Sequence, residues 1–192
     1  AHYPVLTDLT LEAQWTPLAQ YTVSAAVNIT DSGTASGAGV YYAGDDFNLV
    51  ATPDIGYSFE NWTGGCSGVS STYHVDNIAA NMSCTANFTA NQYTITFNTS
   101  GGSTIAPITQ SYGTSIAAIA TPTWINGSHV FIGWDKAVPL TMPAENMTIT
   151  AQWKEMYNLT FNKNDADDGK APMISDYYDQ NEVVVVPDNN PT

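Results

Sequence analysis

The sequence predicts a mainly β protein made of small repeats in tandem, and three observations support this prediction. Apolar and polar residues alternate over short runs such as Tyr93, Ile95 and Phe97, a period typical of half-buried strands. Clusters of Gly, Ser and Asp, such as Gly64-Gly65, separate these runs and indicate turns. The same short segments then recur along the 192-residue chain, as in a repeat architecture.

Composition limits the partners of the chain. Hydrophobic residues make up 43% of it, but charged residues only 11%, against about 25% in typical globular domains. The four basic residues are all lysines and stand against 18 acidic residues, for a formal net charge of −14. We therefore expect no nucleic-acid or anionic-membrane partner, because both need a basic surface. No apolar run is long enough to span a bilayer, and we expect any signal peptide or anchor to lie outside this fragment.

Four kinds of segment recur in the same order. Opening strands begin at Tyr21, Tyr93 and Tyr157, at spacings of 72 (93 minus 21) and 64 (157 minus 93) residues. A middle segment, Val50-Ala-Thr-Pro53, returns as Ile119-Ala-Thr-Pro122. Two further kinds of segment also match. The aromatic segment 57–62 corresponds to 129–134, and the closing strands are 11–15, 84–88 and 149–153.

These recurrences predict four segments. Residues 1–18 are the C-terminal end of a preceding repeat, 20–90 and 92–155 are complete repeats, and 157–192 begin a further one. The linkers between them are only a few residues long, so we expect an elongated array with little bending between repeats.

Each repeat is predicted to form a small sheet of four to six strands with little helix. Thr114 to Ala120 is the one segment that favours a short helix, because of its alanines. Its counterpart in the first repeat, Asp46 to Ala51, favours a strand.

The second repeat closely resembles the internalin-type B-repeat, also called the Listeria-Bacteroides repeat. The resemblance rests on Tyr93-Thr-Ile-Thr-Phe-Asn, Gly101-Gly102, Phe131-Ile-Gly-Trp134 and Met142-Pro-Ala-Glu-Asn-Met-Thr-Ile-Thr-Ala-Gln-Trp153. The first repeat resembles the divergent form of the family, and the fourth segment matches only at its opening strand and near Tyr177-Tyr178.

The resemblance implies β-grasp-like α+β modules in bacterial cell-surface proteins, where such repeats space adhesive domains or contribute to host or matrix binding. It implies no catalysis and no cofactor.

Cys66 and Cys84 are the only cysteines, and both lie in the first repeat. An even count in a secreted protein favours a disulfide. A metal or redox site would need a CxxC motif or further ligands, which His74 alone does not supply.

Two groups of aromatic residues stand out. Tryptophans at equivalent repeat positions, namely Trp15, Trp62, Trp134 and Trp153, are predicted to lie in the core. Five aromatics fall off this pattern and are candidates for an exposed platform that binds a sugar or a protein partner; the alternative is packing at the edge of the core or between repeats. These candidates are Tyr41, Tyr42, Trp124, Tyr177 and Tyr178.

One acidic turn is a candidate calcium site. Asp165, Asp167 and Asp168 place three carboxylates close together, and oxygen ligands suit Ca²⁺. The spacing does not match an EF-hand, so a solvated turn is the favoured interpretation. The three histidines have no catalytic motif around them, and we expect no enzyme.

The sequence thus predicts a non-enzymatic stalk or spacer of a secreted or cell-surface bacterial adhesin. Its expected partners are the neighbouring repeats and a host or environmental protein or glycan. The alternative is a carbohydrate- or protein-binding module that uses exposed aromatics. Eight Asn-x-Ser/Thr sequons are present, but in so Asn- and Thr-rich a chain many such matches arise by chance.

Overall fold

The computed structural model describes residues 12–158 together with residues 177, 178, 181 and 183. Contacts divide the chain into two compact units, here called unit 1, which ends at Ala90, and unit 2, which begins at Asn91. All regular elements in the described residues are strands, without any helix, which confirms the predicted mainly β class.

Thirteen strands make up the described part of the chain. The strands of unit 1 are β1 Gln20–Val27, β2 Gly33–Ser36, β3 Gly39–Tyr42, β4 Phe47–Pro53, β5 Tyr57–Gly64, β6 Thr72–Val75 and β7 Met82–Ala90. The strands of unit 2 are β8 Gln92–Asn98, β9 Ile108–Ser111, β10 His129–Trp134, β11 Met147–Glu155, β12 Tyr157–Asn158 and β13 Tyr177–Tyr178.

Unit 1 contains two sheets around one core. The larger sheet has the order β3-β1-β7-β5, and the smaller one has the order β2-β4-β6. In the larger sheet, β1 and β7 run parallel, whereas the outer pairs are antiparallel. Alternation along β7 buries Cys84, Ala86 and Phe88 in the core, where they meet Leu49 and Trp62.

Unit 2 repeats the strand order of the larger sheet. Its four-stranded sheet has the order β10-β11-β8-β9, and the first and last of these four strands along the chain, β8 and β11, are again parallel neighbours. Ile95, Phe97 and Ile149 alternate inward from these two strands and form the core with Met142. The two outer strands β5 and β10 also share a β-bulge near the same position, at Phe59/Asn61 and at Phe131/Gly133.

Asparagine side chains join the parallel strands in both units. The backbone N–H of Thr22 donates to Oδ1 of Asn81 over 2.8 Å, and that of Thr94 donates to Oδ1 of Asn146 over 2.7 Å. Asn28 likewise exchanges two hydrogen bonds with the backbone of Phe88. These three sequon asparagines are engaged in backbone hydrogen bonds within the fold.

The short helix predicted over 114–120 is wrong, because no residue of this segment is helical in the structure. Ser115 forms a bridge with Thr141, and the N–H of Ile116 donates to the carbonyl of Leu140. Seven residues are too few for a helix to be stable without tertiary support, and Ile116 packs on the core without one. The strand predicted for the counterpart, Asp46 to Ala51, is confirmed by β4.

Candidate functional site

The two cysteines form the disulfide predicted from the sequence. Cys66 and Cys84 are 18 residues apart, with a Cα–Cα distance of 5.2 Å, and both are buried. Cys84 lies on β7, so the bond ties the loop after β5 to a central strand of the sheet.

The equivalent tryptophans differ in burial. Trp62 is 2% exposed, and its Nε1–H donates to the carbonyl of Ser70 over 3.1 Å. Trp134 and Trp153 are half-buried, and Nε1–H of Trp153 donates to the carbonyl of Thr99 over 2.8 Å. Trp15 is 89% exposed, so its predicted core position is wrong; residues 12–19 form no strand that would cover it.

Of the two candidate aromatics of unit 1, one is packed against a neighbouring ring and the other is exposed to solvent. The half-buried Tyr41 stacks on Phe47 with ring centroids 4.8 Å apart, and its hydroxyl donates to the carbonyl of Gly37. Tyr42 is 50% exposed on the outer strand β3. Tyr42 is therefore the member of this pair whose ring is accessible to a ligand.

Trp124 is the centre of an aromatic cluster in unit 2. Its ring stacks on His129 with a centroid distance of 3.9 Å and meets Trp153 edge-on at 5.1 Å. Nδ1 of His129 lies 2.9 Å from Oγ of Ser128, which fixes the imidazole over the indole. Gly101 lies so close to the Trp124 ring that a Cβ at this position would clash with it.

Beside this cluster lies an open cavity of about 370 Å³. Its lining contains no charged residue and consists of Gly101, Gly102, Ser103, Thr104, Thr123 and Ile125. The exposed Ile125 and the hydroxyl groups give this cavity both apolar and polar surface. Sequence reasoning singled out Trp124 but not its neighbours, since they come from two segments about 20 residues apart.

A second depression in unit 2 is lined by residues with apolar side chains. It measures about 230 Å³, and we call it the 116–140 groove. Its lining residues are Ile116, Ala117, Ala118, Ile119, Trp134, Val138, Pro139 and Leu140. No sequence pattern indicated this groove.

The remaining candidates fall partly outside the described residues. Asp165, Asp167 and Asp168, the calcium candidates, lie there, as does the side chain of Tyr177. Tyr178 is half-buried and pairs with Tyr157 across β12 and β13. Within the described ranges, no three His, Cys, Asp or Glu side chains are grouped so that they could hold a metal ion.

Both ring nitrogens of His74 have a hydrogen-bond partner on or beside the smaller sheet of unit 1. Its Nδ1 lies 2.7 Å from Oδ1 of Asn48, and its Nε2 lies 2.9 Å from Oδ1 of Asp76. The first contact joins β4 to β6, where Asn48 and His74 are directly opposite. All three side chains are exposed, so this arrangement lacks the enclosed surroundings that strengthen catalytic hydrogen bonds.

Among the residues that the structure describes, the ionisation of Tyr157 is clearly perturbed. The nearby carboxylate of Glu155 raises the pKa of the Tyr157 phenol, because a second negative charge beside it is unfavourable. Tyr157 is 43% exposed, so this effect is local to the surface.

A comparison with known families now identifies part of the chain. Residues 21–92 match the family model of the divergent InlB B-repeat domain. This segment belongs to that family. The match confirms the resemblance seen in the first repeat, and the B-repeat coincides with β1 to β7 and the start of β8.

Two relatives come from Evansella cellulosilytica. A predicted membrane protein is 28% identical to this chain over 188 residues, which are 93% of this chain and 28% of that protein. A predicted Gly-rich membrane protein is 27% identical over 173 residues, which are 82% of this chain and 20% of that protein. This chain therefore spans less than a third of the length of these curated relatives. In the described residues, no helix has the length and hydrophobicity needed to cross a bilayer.

Proposed function

We propose that this chain is a non-enzymatic spacer of a secreted or cell-surface bacterial adhesin. In this proposal, β-grasp-like B-repeat modules follow one another in an elongated array and project an adhesive domain. The disulfide of the B-repeat supports export, because such bonds persist in oxidising compartments. The likeness to two predicted membrane proteins supports a location at the cell envelope.

The parallel pairing of the first and last strands is the observation that carries the proposal. The chain enters unit 1 at the start of β1 and leaves it at the end of β7. Because these strands run in the same direction, entry and exit lie at opposite ends of the sheet. In the four-stranded sheet of unit 2, β8 comes first and β11 last along the chain, and these two strands are also parallel. A module of this kind adds length to a chain instead of folding it back.

The same geometry suits a load-bearing role. A force that pulls the two ends of unit 1 apart acts along β1 and β7 in opposite directions. The strands can slide past each other only if their shared hydrogen bonds break together, over the five residue pairs from Val23↔Met82 to Val27↔Ala86. In unit 2, four pairs from Ile95↔Met147 to Asn98↔Thr150 act in the same way.

The connections are short. Asn91 alone separates β7 from β8, and Met156 alone separates β11 from β12. A single residue leaves little contour length between modules, which supports an array with limited bending.

Small-angle scattering tests the spacer role. Duplication of residues 92–155 in the full chain should extend the maximum dimension by about 30 Å, the length of a nine-residue strand such as β11. The matched control inserts the same residues at the C-terminus behind a long Gly/Ser linker. An unchanged maximum dimension after direct duplication would contradict the proposal.

A binding module is the second candidate function, and the exposed ring of Tyr42 and the uncharged cavity beside Trp124 favour it. Such a cavity suits a neutral sugar or protein segment of a host or environmental surface, since it offers hydroxyl and apolar contacts without charge. A glycan array probed with the full chain tests the sugar form. A signal that is lost in Tyr42→Ala or Ile125→Ser supports it, and a blank array contradicts it.

A further inference from the structure

Asn126 is the only asparagine of the chain that is followed by glycine. The pair lies in the loop that precedes β10, and both residues are exposed. Glycine has no Cβ, so no side chain shields the backbone nitrogen of Gly127 from the amide before it. Every other asparagine precedes a residue whose side chain crowds the same approach. The sequence therefore marks one amide of this chain as open to attack by the following backbone nitrogen.

The fold bends the side chain of Asn126 over that nitrogen. Its Oδ1 accepts the N–H of Ser128 over 3.1 Å, in the turn by which an asparagine side chain closes on the backbone two residues further on. Gly127 lies inside this turn, with φ at 69°. Reacting groups that are held close together react faster than free ones, and here the turn holds the amide group beside the Gly127 peptide.

The same oxygen accepts a second hydrogen bond from Ser128. The hydroxyl of Ser128 donates to Oδ1 of Asn126 over 2.6 Å. A hydroxyl has a single proton, so the 2.9 Å contact between Oγ and His129 is donated by Nδ1–H of the ring, which in turn stacks on Trp124. Ser128 thus directs two donors at the carbonyl oxygen that becomes negatively charged when its carbon is attacked, as in an oxyanion hole.

The attacking nitrogen is held by a long hydrogen bond. The N–H of Gly127 donates to the carbonyl of Trp124 over 3.2 Å, at the upper end of the range for such bonds. This bond has to open before the nitrogen can react. Opening it requires only a local movement of an exposed loop.

We propose that Asn126 is a site of spontaneous modification to aspartate and isoaspartate, promoted by Ser128. The nitrogen of Gly127 gives up its proton and bonds to Cγ of Asn126. The bond from Cγ to Nδ2 breaks, and Nδ2 leaves as ammonia with the proton that Gly127 gave up, which leaves a cyclic succinimide. Water then opens the ring at either of its carbonyls, giving aspartate or isoaspartate with a free carboxylate. The conversion needs no oxidant, reductant or metal.

The modification would change the surroundings of the cavity beside Trp124. It places a negative charge next to Ile125, in a lining that contains no charged residue. Isoaspartate also adds a methylene to the backbone between Trp124 and His129, whose rings stack on each other. The chemistry at Asn126 depends neither on the spacer role nor on a ligand in this cavity.

Asn98 is the matched control within the chain. Its Oδ1 accepts the N–H of Ser100 over 3.1 Å, in a turn of the same kind, and it is also exposed. Thr99 follows it in place of a glycine and is branched at Cβ. Asn98 should therefore remain unmodified.

Mass spectrometry of peptic fragments can measure the conversion of each asparagine. The full chain is incubated at mildly alkaline pH beside an unfolded peptide with the sequence of residues 123–129, Thr-Trp-Ile-Asn-Gly-Ser-His, which serves as a clock. We expect converted Asn126 in the full chain by the time half of the peptide has reacted, with Asn98 unchanged. The absence of converted Asn126 at that time, or equal conversion of Asn98, would overturn the proposal.

Removal of the Ser128 hydroxyl tests the role of its hydrogen bonds. Ser128→Ala should slow the conversion of Asn126 by about tenfold, less than the roughly 10²–10³ that one donor contributes in an enclosed oxyanion hole, because Asn126 is exposed. A merely structural role predicts the opposite, since a loosened loop would react faster. Ser36→Ala, which removes a hydroxyl in unit 1, should leave the rate unchanged. An unchanged or faster rate in Ser128→Ala would overturn the proposal.

Discussion

Loss of the Cys66–Cys84 bond is expected to destabilise unit 1 and leave unit 2 unchanged. The bond closes a loop over an 18-residue separation, and the chain-entropy relation gives about 3 kcal/mol for a loop of this length. Both sulfurs are buried, so replacement by alanine would add a cavity cost. The reduced wild-type protein keeps the sulfurs in place and therefore isolates the contribution of the cross-link.

Hydrogen exchange monitored by mass spectrometry can measure the two units separately. The protein is reduced while unfolded, refolded with reductant and compared with the oxidised form. A loss of about 3 kcal/mol corresponds to a roughly hundredfold faster exchange of the slowest amides in β4 and β7. Amides of β8 and β11 serve as the internal control, because unit 2 contains no cysteine. Equal protection of β7 in both forms, or an equal loss in β11, would contradict this prediction.

Three further predictions follow from particular contacts. Gly102→Ala should destabilise unit 2 by about 1–3 kcal/mol in urea denaturation, because its Cβ would overlap the indole of Trp153. Asn28→Ala should cost unit 1 about 1–3 kcal/mol, because the buried backbone of Phe88 loses both of its bonds to this side chain. Replacing the carboxylate of residue 155 by an amide should lower the pKa of Tyr157 toward its ordinary value, measured by phenolate absorbance, since the carboxylate raises it.

Each of these predictions has a control. Gly39→Ala adds a Cβ at ordinary contact distance, 3.7 Å from the ring of Tyr41, and should change stability little. Asn98→Ala loses only a local bond to the N–H of Ser100 and should cost less than Asn28→Ala. A Tyr157 titration that is unchanged by Glu155→Gln would contradict the assigned cause.

Much of the fold could be predicted because its signals are local. Alternation with a period of two specifies strands without reference to the rest of the chain, so β1, β7, β8 and β11 are visible in the sequence. Repetition of these runs also predicted the equivalence of units 1 and 2. The disulfide followed from the count of two cysteines, and the structure confirms it.

The candidate site was less predictable because its parts come from distant segments. Trp124 stood out as an aromatic off the repeat pattern, but its stacking on His129 and its approach to Gly101 depend on how two loops meet. The helix predicted over 114–120 failed for the same reason. The segment favours a helix locally, whereas the pairing of Ser115 and Ile116 with Thr141 and Leu140 holds its start in a non-helical conformation.

The sequence alone determined the strand content, the phase of the repeats, the absence of a basic surface and the cysteine pair. The parallel pairing of β1 with β7 and of β8 with β11 became apparent only in the folded chain, because this pairing joins residues about 50 to 60 positions apart. The tertiary structure also decided that Ser115 forms a bridge with Thr141 and that the N–H of Ile116 donates to the carbonyl of Leu140. Which backbone lies opposite a given residue is a matter of register, and that register is fixed only when the chain has folded.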